Sequence, residues 1–126
     1  MLPGFLVEDG VRRENGQSPA LEVSGAEALL LTLGIDRIIE QESLDVAIHG
    51  SKDGREWDPK PLLTFPQKFY CGVHSLLLDL SDRPDVRYVR AVWKMNRWGR
   101  GVPTPSFGFY LFADKVRLPE LTAKAG

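Results

Sequence analysis

Residues 45–57 read Asp45-Val46-Ala47-Ile48-His49-Gly50-Ser51-Lys52-Asp53-Gly54-Arg55-Glu56-Trp57. Leu44, Val46 and Ile48 point one way and Asp45, Ala47 and His49 the other, the period of a half-buried strand. Asp53-Gly54 then supplies residues that tolerate positive φ, so a tight turn is expected, with Trp57 folding back over the sheet. Further on, Val86-Arg87-Tyr88-Val89-Arg90-Ala91-Val92-Trp93 opens a second alternating strand. It places Val89, Ala91, Trp93 and Met95 on one face and Tyr88, Arg90, Val92 and Lys94 on the other. Trp57, Val89, Ala91 and Trp93 are therefore expected in the core.

The same logic extends outward. Residues 28–33 form a nearly continuous apolar run without helix caps, which predicts a strand buried on both faces. The stretch 35–42 is the most helix-like, yet its shortness and Ile38-Ile39 favour strand. Pro59 and Pro61 exclude a regular central strand, leaving Leu62-Leu63-Thr64-Phe65 as a short edge strand. His74, Leu76, Leu78 and Leu80 share a face, Ser81-Asp82-Arg83-Pro84-Asp85 is a turn, and Phe107, Phe109 and Leu111 point to the core from a last strand over 107–112. Residues 1–19 read as a polar, turn-rich arm in which Phe5-Leu6-Val7 forms at most a short strand, and 118–126 as a polar tail. Short strands broken by turn signals, with little or no helix, predict one all-β domain over 1–126, an antiparallel β-sandwich of jelly-roll type.

A chain of 126 residues suits one hydrophobic core. With 43% hydrophobic and 26% charged residues it has an ordinary globular composition. The net charge of −1 argues against a general nucleic-acid binder. Charge is nonetheless unevenly spread. Between Arg83 and Gly101 six basic residues (Arg83, Arg87, Arg90, Lys94, Arg97, Arg100) stand against Asp85 alone, a surplus of five, so the remainder carries −6. Such polarity suits docking, head-to-tail association or an anionic partner, or else marks the solvated side of strands. Cys71 is the only cysteine, which excludes an internal disulfide and points to a reducing compartment. The first residues lack the basic start and apolar run of an export signal, and Ala28-Leu29-Leu30-Leu31 is too short to cross a bilayer. The expectation is a cytoplasmic protein with no membrane contact.

Ser51-Lys52-Asp53-Gly54-Arg55-Glu56-Trp57, followed by Val86-Arg87-Tyr88-Val89-Arg90, resembles the S-x-D-G-x-x-W … R-Y-[IV]-R core of discoidin or coagulation-factor type C domains, which are galactose-binding-like jelly rolls. The likeness spans roughly residues 28–93, with 107–112 as a closing strand. It implies a jelly roll and a non-enzymatic binding role. It assigns no binding residue, because ligands of that family sit in loops that vary freely. Such domains are usually longer and secreted, often with a cysteine pair that this chain lacks.

Two loops carry the candidate contact residues. In Arg97-Trp98-Gly99-Arg100-Gly101, Trp98 leaves the alternation of the strand before it and lies between two arginines. An aromatic so placed stacks on a sugar, clamps a carboxylate or anchors an interface; the alternative is a plug beneath the loop. In Gln67-Lys68-Phe69-Tyr70, consecutive rings cannot both face the core of an extended strand, so one contacts a partner or covers the sandwich end. Cys71 and His74 have a C-x-x-H spacing, with His49 as a third candidate, but zinc usually takes three or four ligands and no other Cys or His remains, so a structural role is the reading. Asp45, Asp53, Glu56 and Asp58 lack a calcium-loop spacing and read as solvated turn acids. No metal or cofactor is expected. No nucleophile, zincin, phosphate-loop or dinucleotide motif is present, so no catalysis is expected. The chain reads as a protein-interaction or structural subunit of a homo-oligomer or larger assembly. A discoidin-like carbohydrate-binding module is the alternative, and an accessory domain of an enzyme a more distant one.

Overall fold

The computed structural model describes residues 2–39, 42–97 and 104–117. Among these residues nine strands follow in order: β1 Gly4–Arg12, β2 Gly16–Gln17, β3 Leu21–Glu22, β4 Ala28–Arg37, β5 Glu42–Ser51, β6 Leu63–Thr64, β7 Gly72–Asp79, β8 Tyr88–Arg97 and β9 Phe107–Val116. One sheet has the order β1-β9-β4-β7; the other runs β2-β8-β5-β6, with β3 continuing β2 along β8. All pairs are antiparallel. The pairs β1·β9, β2/β3·β8, β4·β7 and β5·β6 are nested in sequence, which is the connectivity of a jelly roll. Among the described residues there is no helix, and so none long and apolar enough to cross a membrane.

The core lies between the sheets, where alternation puts it. Leu29, Leu31, Leu33 and Ile35 of β4 and Phe107, Phe109 and Leu111 of β9 meet Leu44, Val46 and Ile48 of β5 and Val89, Ala91, Trp93 and Met95 of β8. The run at 28–33 is not fully buried on both faces, however: Leu30 and Thr32 look outward and are half-buried. The strand also extends to Arg37, into the stretch 35–42 that looked most helical.

Two expectations are corrected. The segment taken for an arm contributes a nine-residue strand at the edge of the first sheet, with Leu6 and Val7 buried. Two register shifts against β9 let consecutive Leu6 and Val7 both turn inward, which breaks the alternation that sequence reading relies on. Trp57 is not in the inter-sheet core. After Gly54, at φ 79°, the chain returns along β5 with the Asp58 N–H donating to the Gly50 carbonyl at 3.0 Å. Trp57 thereby lands on the outer face, where His49 and Arg90 are paired in register, and the Arg90 guanidinium lies 4.5 Å from its ring centroid.

Trp93 joins the parts. Its ring meets Phe109 of the opposite sheet edge-to-face at 5.6 Å, and its indole N–H donates to the Glu14 carbonyl at 3.0 Å. A Cβ on Gly16 would stand 2.7 Å from the indole, so β2 can cross there only as glycine. Ser18 bridges the break between β2 and β3: its hydroxyl accepts the Ala91 N–H at 2.8 Å and its own N–H donates to the Ala91 carbonyl at 2.8 Å. Trp93→Ala is expected to lower unfolding free energy by about 3–5 kcal/mol in denaturant titration. An unchanged midpoint would contradict the placement of this ring.

Candidate functional site

Pairing register decides which loops share an end. Arg97 of β8 lies opposite Glu42 of β5, and Lys68 bridges to Leu44. The bridge is a reciprocal pair: Leu44 N–H donates to the Lys68 carbonyl at 2.9 Å, and Lys68 N–H to the Leu44 carbonyl at 3.0 Å. The first residues of β5 are therefore flanked on one side by Arg97 and on the other by the segment carrying Lys68, Phe69 and Tyr70. These four candidates sit at one end of the sandwich though far apart in sequence, and Arg97, read as part of a loop, is the last residue of β8, held there by its pairing with Glu42. Trp98 and Arg100 lie outside the described residues.

The Lys68 segment is well anchored. Phe65 is buried and its N–H donates to the Val46 carbonyl at 2.9 Å. The Gln67 amide donates to the Asp45 carboxylate at 3.1 Å. From that anchor the chain presents Phe69 and Tyr70, whose rings lie 6.5 Å apart, tilted by 57°. Neither covers the core. Phe69 is 40% exposed and Tyr70 77% exposed, which answers the question raised by two consecutive rings: both look outward.

Beneath this end is a group that sequence reading missed. Glu42 is 1% exposed, and its carboxylate accepts the Ile39 N–H at 2.8 Å through one oxygen and the Ser106 N–H at 2.8 Å through the other. It clips the chain leaving β4 to the chain entering β9. A buried carboxylate is tolerated only when its oxygens are so satisfied. Nothing local in the sequence marks this glutamate, because both of its donors arrive through tertiary contacts.

The turn motif behind the family resemblance lies at the other end. Ser51 is buried and its hydroxyl accepts the Gly54 N–H at 2.8 Å while donating to the Glu56 carbonyl at 2.6 Å. One Asp53 oxygen accepts the Arg55 and Glu56 amides at 2.8 and 3.0 Å, and these bonds hold its pKa below the usual 3.8. Arg83 adds a tether, bonding Asp58 at 3.1 Å and Asp85 at 3.2 Å. The serine and aspartate here shape a turn.

A cleft of about 330 Å³ opens where β1 faces β2 and β3, lined by Glu8, Arg12, Gln17, Ser18 and Trp93 among others. Arg12, read from sequence as part of a polar arm, reaches into the sandwich edge. Its guanidinium lies 5.6 Å from the Trp93 ring centroid and 5.0 Å from that of Phe109, and donates to the carbonyls of Glu8, Gly10 and Phe109 at 2.7, 3.1 and 3.1 Å. It seals the edge.

His49 and His74 stand on different sheets, the former with Nδ1 2.8 Å from the Asp58 carbonyl oxygen. Cys71 is exposed. Among the described residues no three His, Cys, Asp or Glu side chains are grouped to hold a metal ion.

Two outcomes are expected. Glu42→Gln keeps one acceptor but turns an amide N–H₂ towards a backbone donor, so it should cost about 1.5–3 kcal/mol in denaturant titration; a neutral effect would remove the clip. Burial first, and the Lys68 charge second, lower the His74 pKa below 6.5. The unfolded chain then binds that proton more tightly, so the stability is complete above pH 6.5 and declines below it. His74→Gln should flatten the acid-side fall in melting temperature, and an unaltered pH profile would contradict this.

No protein-family model and no curated protein matches this chain.

Proposed function

We propose that the protein is a non-catalytic interaction or structural subunit, working in a reducing compartment within a homo-oligomer or larger assembly. The observation that carries this reading is the convergence of Arg97 with Lys68, Phe69 and Tyr70 at one end of the sandwich, with both rings turned to solvent. A ring standing 77% exposed on an anchored segment, beside cationic side chains, is the composition of an interface anchor. The basic surplus between Arg83 and Gly101 includes Arg97 and favours a partner with an acidic face.

A carbohydrate-binding role of discoidin type is the second reading. It draws on the turn motif and on Tyr70, whose ring offers a stacking face for a sugar. The two readings use the same residues differently. For an assembly surface, Tyr70→Ala or Trp98→Ala should weaken association by at least about 2 kcal/mol, read as a shift in mass distribution by sedimentation. For a sugar site the same changes should abolish glycan binding and leave the mass distribution untouched. Loss of thermal stability without either effect would refute both assignments of this end.

A further inference from the structure

Among the described residues the two sheets have four edges, and three are blunted. β1 carries two register shifts and the charged Glu8, Asp9 and Arg12. On the second sheet one edge is interrupted between β2 and β3, where Pro19 has no N–H to give, and the opposite one, β6, is two residues long between Pro61 and Pro66. These are the devices by which proteins avoid edge-to-edge pairing. β7 carries only Asp79, at its last position. It runs for eight residues, in unbroken register with β4 from Ile35↔Gly72 to Ala28↔Asp79, without lysine or proline. Among the described residues no strand pairs with its outer side.

The hydrogen-bond phase of that edge is readable. Leu80 N–H donates to the Glu27 carbonyl at 2.8 Å, so Leu78, Leu76 and His74 direct their backbone groups to β4. Val73, Ser75, Leu77 and Asp79 direct theirs outward. Their side chains stand on the outer face of the sheet, with Val73 66% and Leu77 40% exposed.

We propose that β7 is the dimerisation edge: two copies pair antiparallel through it about a two-fold axis at Ser75, joining two four-stranded sheets into one. This rests on the assembly reading and specifies its partner as a second copy of this chain. The register follows from self-complementarity. Centred on Ser75, Val73 of each copy faces Leu77 of the other, so both exposed apolar side chains are covered twice. Asp79 then faces Cys71, and no like charges oppose. Centring on Leu76 would set Val73 against Asp79, and centring on Leu77 would leave Val73 beyond the paired stretch.

Sedimentation of the full chain over a micromolar to submillimolar range tests the proposal. A dimer is expected, and Val73→Lys should weaken it about tenfold or more in dissociation constant. In a Cys71→Ser background, Ser75→Cys should form a disulfide dimer on mild oxidation, because an axis at Ser75 sets those Cα atoms about 5.5 Å apart. Leu77→Cys in the same background should not. Circular dichroism and thermal unfolding confirm that each variant folds. A protein monomeric at every concentration overturns self-pairing. A dimer insensitive to Val73→Lys but lost in Tyr70→Ala overturns this edge while leaving assembly through the loop end intact. Crosslinking by Leu77→Cys in place of Ser75→Cys overturns the register.

Discussion

The indole of Trp93 is the contact on which the closed sandwich depends. One edge of the ring meets Phe109 across the core, its N–H holds the Glu14 carbonyl, and the glycine at position 16 lets the backbone pass against it. Through that set of contacts the chain between β1 and β2 is fixed as it passes from one sheet to the other. Arg12 caps the same place with three carbonyl bonds and two ring contacts. A guanidinium can do this because it is weakly hydrated and flat enough to lie over aromatic rings while donating in its plane. The nested pairs of the jelly roll then stack outward from this point, with β9 holding β1 and β4 on its two sides.

The two ends of the sandwich are built on different principles. At one, Ser51 and Asp53 satisfy a turn almost wholly from within seven residues of chain, with Arg83 as a tether. At the other, order comes from far apart: Glu42 gathers amides from Ile39 and Ser106, and Gln67 reaches Asp45. The motif that suggests a family therefore acts here as a folding device, and the residues proposed for contact lie at the far end from it.

The surface is likewise uneven. The outer face of the first sheet carries Phe5 against Phe112 and Tyr110, with ring centroids 4.9 and 6.1 Å apart, and continues through Leu30 to Leu77 and Val73. Apolar side chains on an outward face beside an unblunted edge are the usual mark of a surface that meets another protein. The opposite sheet is covered on its outer side by polar and stacked groups such as His49, Arg90 and Trp57.

What the sequence alone determined was whatever depends on period and local turn chemistry. Alternation placed Leu44, Val46 and Ile48, Val89 to Met95, and Phe107 to Leu111 in the core, because a strand's side chains must alternate faces. The Asp-Gly turn and the short edge strand before Pro66 follow from local geometry in the same way. Period fails where it is interrupted: the irregular β1 hid a nine-residue strand inside an apparent arm. Long-range geometry is beyond it. That Trp57 lies outside the core under Arg90, that Glu42 is buried between two amides, and that Arg97 and Lys68 flank one strand are decided by pairing register between segments tens of residues apart. Register depends on the whole sheet, because each strand is positioned by its neighbours and not by its own residues alone.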